Sequence, residues 1–354
     1  MNHNPQPIAF TATDPTAWLA QPGIRTYDYH HNPHNRRTPH SNDTTNPTPP
    51  PTIGHDPAEL RHTLQTHGID LEELAAHARA IAIGGLATID QTLNSDATAH
   101  TVDHTKSAAC DPVTACDMAV ENFAVTYLTQ HRPDDSILGE EGSNITGTSA
   151  FQWIIDPIDG TVNFLYNIPM SAISVACAWN GHIIAGAVIN TATEELYEAT
   201  IGGGATLTDA AGERYPLHCN QPDNLPTSLL ATGFSYNSHR RQQQGALITQ
   251  LLGTIRDIRR MGSAALDLCQ VAAGQVDLYF EHALNPWDFA AGALIAAESG
   301  AHVIIPTFKT RASDGIPVFA ATPTTATDFA QLLHTHGAWN PLPDTTDHTH
   351  QNPN

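Results

Sequence analysis

From residue 57 to 94 apolar side chains recur at helical spacing, with Leu71, Leu74, Ala75, Ala78 and Ile81 on one stripe, which predicts helix there. A second helix is expected from Thr114 to about Thr129. Short apolar runs then predict strands at Ser136–Leu138, Gln152–Ile155, Ala172–Trp179, Ile183–Asn190 and Glu194–Ala199. The run Gly202-Gly203-Gly204 lacks the Lys and Ser/Thr of a phosphate-binding P-loop and reads as a turn between strands. From about Leu225 the texture alternates. Strand Ser228–Ala231, a polar helix near Ser238–Leu252 and strand Ile255–Arg259 lead to helix Ala264–Ala273, strand Val276–Phe280, helix Asp288–Ser299 and strand His302–Ile305. The pattern predicts an α/β protein with an α+β lobe over residues 56–222 and a layered α/β lobe over 223–340. Residues 1–55 are rich in Pro, His, Asn and Thr without an apolar period, so a mostly disordered extension is expected, and 341–354 read as a loose tail.

Composition narrows the function. The 354 residues carry a formal net charge of -21, which disfavours direct contact with a nucleic-acid backbone. An acidic chain that works on an anionic substrate needs bound cations to bridge the two. The five cysteines form no CxxC pair and are expected to be reduced thiols. No apolar signal segment or membrane span is visible, and a cytoplasmic location is expected by elimination. The cluster His30, His31, His34 and His40 matches no zinc-site spacing.

The candidate chemistry lies in acidic segments. In Trp153-Ile154-Ile155-Asp156-Pro157-Ile158-Asp159-Gly160-Thr161 an apolar strand delivers Asp156 at its end. Pro157 is expected to stop that strand, with a turn through Asp159-Gly160-Thr161. Two carboxylates that converge repel unless a cation sits between them, and hard oxygen ligands, the Ile158 carbonyl among them, select Mg²⁺ or Mn²⁺. Gly160 and Thr161 offer backbone N–H groups at the expected start of a short helix, where phosphate binds readily. Taken alone, this segment is also a common turn. Gly139-Glu140-Glu141-Gly142 adds carboxylates at another strand end, and Asn285-Pro286-Trp287-Asp288 opens an apolar helix where Asp288 alone would read as a cap. Lys106, Asp111 and Asp117 lie ahead of the second helix, where capping is again the plain account.

Together these segments resemble the inositol monophosphatase family, within the lithium-sensitive, metal-dependent phosphatase superfamily. The resemblance spans roughly residues 60 to 335 and rests on Gly139-Glu140-Glu141, Asp156 to Phe164, and Trp287-Asp288-Phe289-Ala290-Ala291-Gly292 in that order. The stretches Arg259 to Leu268 and Tyr279-Phe280-Glu281 are most similar to the bacterial SuhB-like inositol-1-monophosphatases.

The resemblance implies an αβαβα sandwich of the inositol monophosphatase and fructose-1,6-bisphosphatase type, a homodimer, and two to three Mg²⁺ ions. By the same resemblance Glu140, Asp156 and the Ile158 carbonyl would hold one ion, and Asp156, Asp159 and Asp288 a second. Glu140 would help to place a third through water. Thr161 backed by Asp117 would orient the attacking water, and the Gly160 and Thr161 amides would bind phosphate. Glu281 and the Ala264 backbone would meet the hydroxyls of a sugar or inositol. Asn167 and Ser299 depart from commoner family residues, and no implied ligand is substituted.

The expected reaction is hydrolysis of a small polyol phosphate monoester, inositol 1-phosphate foremost, by direct attack of metal-activated water. Histidinol phosphate, fructose 1,6-bisphosphate and 3′-phosphoadenosine nucleotides are the alternatives within the same chemistry. A regulatory binding role in transcription or ribosome assembly is the alternative from another class.

Overall fold

The computed structural model describes residues 57–95 and 114–344 in full, together with the backbone of 23–27, 52–54, 102–105 and 112–113. Two short strands, β1 (Gly23–Tyr27) and β2 (Thr52–Gly54), fall inside the segment expected to be disordered, and they correct that expectation at those positions. β1 runs parallel to a later strand, pairing Gly23–Tyr27 with His302–Pro306, and β2 pairs antiparallel to β1. Backbone pairing at a sheet edge needs no long apolar period, so the pattern gave no sign of it. The His30–His40 cluster and residues 345–354 lie outside the described residues.

The helical period at 57–94 folds as two helices, α1 (Pro57–Thr66) and α2 (Leu71–Ser95). Gly68 at φ +69 breaks the run, and Asp70 Oδ1 then accepts the amides of Glu72 and Glu73 at 3.0 and 3.2 Å to restart it. A hairpin of β3 (Val102–Thr105) and β4 (Pro112–Thr114) leads into α3 (Ala115–His131). Thr114 caps α3 through the Cys116 amide at 3.2 Å, and its own amide donates to Asp117 Oδ2 at 2.8 Å. Lys106, Cys110 and Asp111 lie outside the described residues.

The first sheet holds β5 (Ser136–Gly139), β6 (Asn144–Ile145), β7 (Phe151–Asp159), β8 (Ala172–Trp179), β9 (His182–Asn190), β10 (Leu196–Thr200), β11 (Gly204–Thr208) and β12 (Arg214–Pro216). Its order is β12-β11-β10-β9-β8-β7-β5-β6, antiparallel except for the parallel β5–β7 pair. A short helix, α4 (Thr161–Leu165), interrupts the run between β7 and β8.

The remainder supplies β13 (Leu229–Ala231), α5 (Ser238–Leu251), β14 (Asp257–Arg259), α6 (Ala264–Ala272), β15 (Leu278–His282), α7 (Pro286–Glu298), β16 (His302–Pro306), β17 (Pro317–Ala321) and α8 (Ala326–Thr335). The second sheet runs β14-β13-β15-β17-β16-β1-β2. Residues 341–344 are stitched down: the Leu342 amide donates to Gly315 O at 2.8 Å, and buried Arg240 reaches Ser313 O and Asp344. That corrects the loose tail at these four residues.

The layers stack as helices α2 and α3, first sheet, helices α6 and α7, second sheet, helices α5 and α8, which is an αβαβα sandwich. One apolar core joins α2, α3, the first sheet and α6–α7, and a second fills the space between the second sheet and α5 with α8. α7 is buried on nearly every side, as a helix between two sheets must be. Its small residues allow the close approach: a Cβ on Gly292 would fall 2.8 Å from Leu268 Cβ on α6, and one on Gly186 would fall 3.1 Å from Ala291 Cα. Among the described residues no helix is long and apolar enough to cross a membrane.

Candidate active site

β7 does not stop at Pro157 as expected but continues to Asp159. Asp156 pairs with Ser174 on β8 and Asp159 with Ala172, so three steps on β7 match two on β8. Pro157 lacks an N–H and drops out of the ladder without ending the strand, leaving a bulge. The consequence is geometric. In a regular strand, side chains three apart face opposite sides, whereas the extra residue turns Asp156 and Asp159 to the same face. Ser174, the partner of Asp156, donates to the Trp287 carbonyl of α7 at 3.3 Å, so that face looks toward α7. Asp288 stands there, in the first turn of α7, its Oδ2 accepting the Asn285 amide at 2.7 Å.

The parallel pairing of β5 with β7 brings Glu140 alongside. Gly139 is in register with Ile155, and the Glu140 amide donates to Ile155 O at 3.2 Å. The Glu140 and Asp156 carboxyls stand within hydrogen-bonding reach of each other. Asp159 reaches the start of α6, where its Oδ2 accepts from Ser263 Oγ at 2.6 Å and the Ala265 amide at 2.7 Å. Asn163 Nδ2 adds bonds of 2.7 Å to both Met170 O and Met261 O, tying the α4 turn to the loop before α6.

Electrostatics make these carboxyls one unit. Asp156 is 1% exposed, and burial pushes its carboxyl well above the ordinary range, with further upward pressure from Glu140, Asp159 and Asp288. Burial also raises Asp288, helped by Glu140 and Asp159. Asp159 is pushed up to about 7 by burial, against the opposing pull of its Ser263 and Ala265 bonds. Asp156 Oδ1 is buried with no hydrogen-bond partner. Such a group is costly unless a proton or a cation meets it. An all-oxygen donor set with one orphaned buried carboxylate oxygen fits a hard divalent cation. Among the described residues no group of three or more His, Cys, Asp or Glu side chains is already arranged to hold a metal ion.

Past Asp159 the chain turns through Gly160 at φ +88 into α4. A Cβ on Gly160 would meet Met170 O at 2.9 Å and Gly262 O at 3.0 Å, so only glycine allows both the left-handed turn and the close packing. Thr161 follows, with its hydroxyl facing Ile158 O at 3.1 Å and Asp117 Oδ1 at 3.3 Å. Glu281 on β15 accepts from Tyr279 Oη at 2.8 Å, and burial pushes its carboxyl up to about 7 while Tyr279 and Arg260 lower it. Ala264 sits at the first position of α6, beside the Asp159 supports.

Glu140, Asp156, Asp159 and Asp288 are thus brought into one neighbourhood from β5, β7 and α7, with Thr161 and Asp117 bonded beside them and Glu281 electrostatically coupled to Asp159 and Asp288. Reading the residues did not single out Ser263, Asn163 or Asp267. Asp267 is a buried α6 carboxyl, raised by burial and by Glu281 and Asp159, with Oδ1 lacking a hydrogen-bond partner. Ser263 and Asp267 lie in the stretch from Arg259 to Leu268, but a contact 104 residues away carries no local signal. Cys116, Cys177, Cys219 and Cys269 are free thiols.

The profile of the inositol monophosphatase family matches residues 70–338. The chain is 42% identical over 297 residues to an inositol-1-monophosphatase SuhB of Mycobacterium tuberculosis, an alignment covering 82% of this chain and 98% of that protein. Among solved structures, Mycobacterium tuberculosis SuhB superposes with a TM-score of 0.65 at 39% identity over 77% of this chain and 99% of its own. An inositol monophosphatase from Anabaena superposes at 0.63 with 28% identity, over 77% of this chain and 98% of that one. The profile match over residues 70–338 and the 42% identity show that the chain belongs to the inositol monophosphatase family of phosphoric monoester hydrolases.

Proposed function

We propose that this protein hydrolyses inositol 1-phosphate to inositol and phosphate with Mg²⁺. One observation carries the reading: acidic residues from two strands and the central α7 helix are folded into a single mutually repelling cluster, in a chain of a generally metal-dependent phosphatase family. We assign Glu140, Asp156 and the Ile158 carbonyl to one Mg²⁺, and Asp156, Asp159 and Asp288 to a second. Glu140 helps to hold a third through water. When bound, Mg²⁺ cancels the carboxylate repulsion, lowers the pKa of coordinated water and offsets charge on the departing alkoxide.

The chain's own residues do the rest. Thr161 donates its hydroxyl proton to Asp117, which leaves its oxygen lone pairs to accept from the attacking water and aim it. Glu140 takes up the proton that the water gives away, and solvent protonates the departing alkoxide to give the free polyol. Gly160 and Thr161 open α4, where amide N–H groups have no partner within the helix, and there they bind phosphate oxygens. Glu281 and the Ala264 amide receive the polyol hydroxyls. A carboxylate at Glu281 repels a second phosphate, which favours a neutral polyol over fructose 1,6-bisphosphate and phosphoadenosine nucleotides. The cationic amine of histidinol phosphate tolerates that carboxyl, so it is the rival to measure.

Phosphate release from a panel of these esters with Mg²⁺, with and without Li⁺, tests the reading. We expect inositol 1-phosphate to have the highest kcat/KM and lithium to suppress its hydrolysis. A higher value for histidinol phosphate refutes the substrate assignment, and no metal-dependent release from any ester favours the regulatory role instead.

A further inference from the structure

We propose that Glu121 is a positioning residue for Glu140, acting through the backbone of the turn that carries it; this rests on the assignment of Glu140 to the metal site. Glu121 lies one helical turn after Asp117 on α3 and is 3% exposed. Its Oε2 accepts the Glu141 amide at 2.7 Å, and its Oε1 accepts the Ser143 amide at 2.9 Å. Both carboxylate oxygens are therefore committed to the segment immediately after Glu140. That segment also closes on itself, with the Gly139 amide donating to Ser143 O at 2.6 Å. A Cβ on Gly139 would fall 2.5 Å from Glu121 Oε2, so the space that a side chain would take at the end of β5 belongs to the carboxylate.

A buried carboxylate is expensive unless charge-assisted bonds hold it, and here both go to the backbone of one turn. Both amides sit in the turn between the paired residues of β5 and β6, and both donate to Glu121. The carboxylate fixes where the peptide after Glu140 points, and so where the Glu140 side chain leaves the strand. On α3 the residues at i and i+4 share a face, so Asp117 and Glu121 emerge one above the other. One reaches the Thr161 hydroxyl and the other the Glu140 turn. α3 thereby sets the distance between the water-orienting hydroxyl at the start of α4 and the proton-accepting carboxylate in the turn after β5.

The test uses the full chain. In Glu121→Gln one arm becomes an NH₂ group, which opposes an amide N–H and cannot accept from it. We expect Mg²⁺ affinity, measured calorimetrically without substrate, and kcat for inositol 1-phosphate each to fall by about 10–100-fold, the range seen for residues that orient metal ligands. KM for the ester should stay within about threefold, because the phosphate cradle is untouched. Glu121→Asp, which keeps the charge, should restore part of the loss, and Gly139→Ala should reproduce it from the other side. A role in folding alone lowers the melting temperature and the active fraction but leaves Mg²⁺ affinity of the folded molecules unchanged. Hydrogen exchange on the unmutated protein stands apart from how variants fold: the Glu141 and Ser143 amides should exchange as slowly as sheet amides. Fast exchange there, or wild-type Mg²⁺ affinity and kcat in Glu121→Gln, overturns the proposal. Absence of Mg²⁺ binding in the unmutated protein instead fails the metal assignment, and the exchange result still judges the brace.

Discussion

Acidifying the metal-free protein should stabilise it, and the size of the effect follows from the carboxyl cluster. A carboxyl whose pKa is raised by folding holds its proton more tightly in the folded chain than in the unfolded one. Its contribution to stability is complete below the unfolded value and is lost as pH rises through the folded value. Asp159 moves from 3.8 to about 7. From about pH 8 to about pH 5 that single group returns roughly 2.5 kcal/mol, at 1.36 kcal/mol per pKa unit. Asp156 and Asp288 shift in the same direction but titrate with it as a coupled set, so their shares are not simply summed. For a chain of 354 residues, roughly 2.5 kcal/mol is a rise in Tm on the order of 3–4 °C.

The overall charge of -21 pushes the same way, because acid relieves general self-repulsion. Asp156→Asn separates the two causes: it removes one buried titrating group and changes the surface charge hardly at all. Calorimetric Tm should be recorded against pH in a chelator, for the unmutated protein and the variant. The unmutated protein should show the steeper slope. Saturating Mg²⁺ should raise its Tm at about pH 8 and flatten the curve, because a bound cation does the work of the protons. The variant should be the more stable of the two at that pH without metal, respond little to Mg²⁺, and release no phosphate. A metal-free Tm that is flat or falls on acidification, or identical slopes for the two proteins, refutes the coupled, metal-seeking cluster.

Two further substitutions probe the scaffold. Gly160→Ala places a methyl 2.9 Å from Met170 O in a left-handed turn, and should cost about 2 kcal/mol in chemical denaturation along with most of the activity. Gly292→Ala drives a Cβ to 2.8 Å from Leu268 Cβ and 2.9 Å from Ala265 O. It should push α6 off α7, weaken the Ser263 and Ala265 hold on Asp159, and lower kcat more than stability, with a loss of about 1–3 kcal/mol by denaturation.

The order of elements was legible because amphipathic helices and short apolar strands announce themselves by period. β8 is the clearest case, running from Ala172 to Trp179 as the apolar pattern indicates. β17 and α8 were not foreseen, although Pro317–Ala321 is apolar throughout, because a Pro-led run of five after a polar loop has little period to read. The same limit hid β1, which pairs with β16 on one side and β2 on the other through backbone groups. Proline misled in a specific way. At Pro157 it removed one ladder bond and left the strand running, and the resulting bulge is what aligns Asp156 with Asp159.

What the chain determines locally is the inventory: which carboxylates end strands, where glycine must take a left-handed turn, and which spacings belong to this family. Those features depend on residues a few positions apart, and neighbours in sequence report them directly. The tertiary structure alone decided that Asp288 on α7 faces Asp156 on β7, that Ser263 grips Asp159, and that Glu121 occupies the space a side chain at Gly139 would fill. These contacts join segments far apart along the chain through close packing of two sheets against shared helices. Burial in that packing then converts a set of ordinary acids into one strongly shifted cluster, a collective property that no single stretch of residues contains.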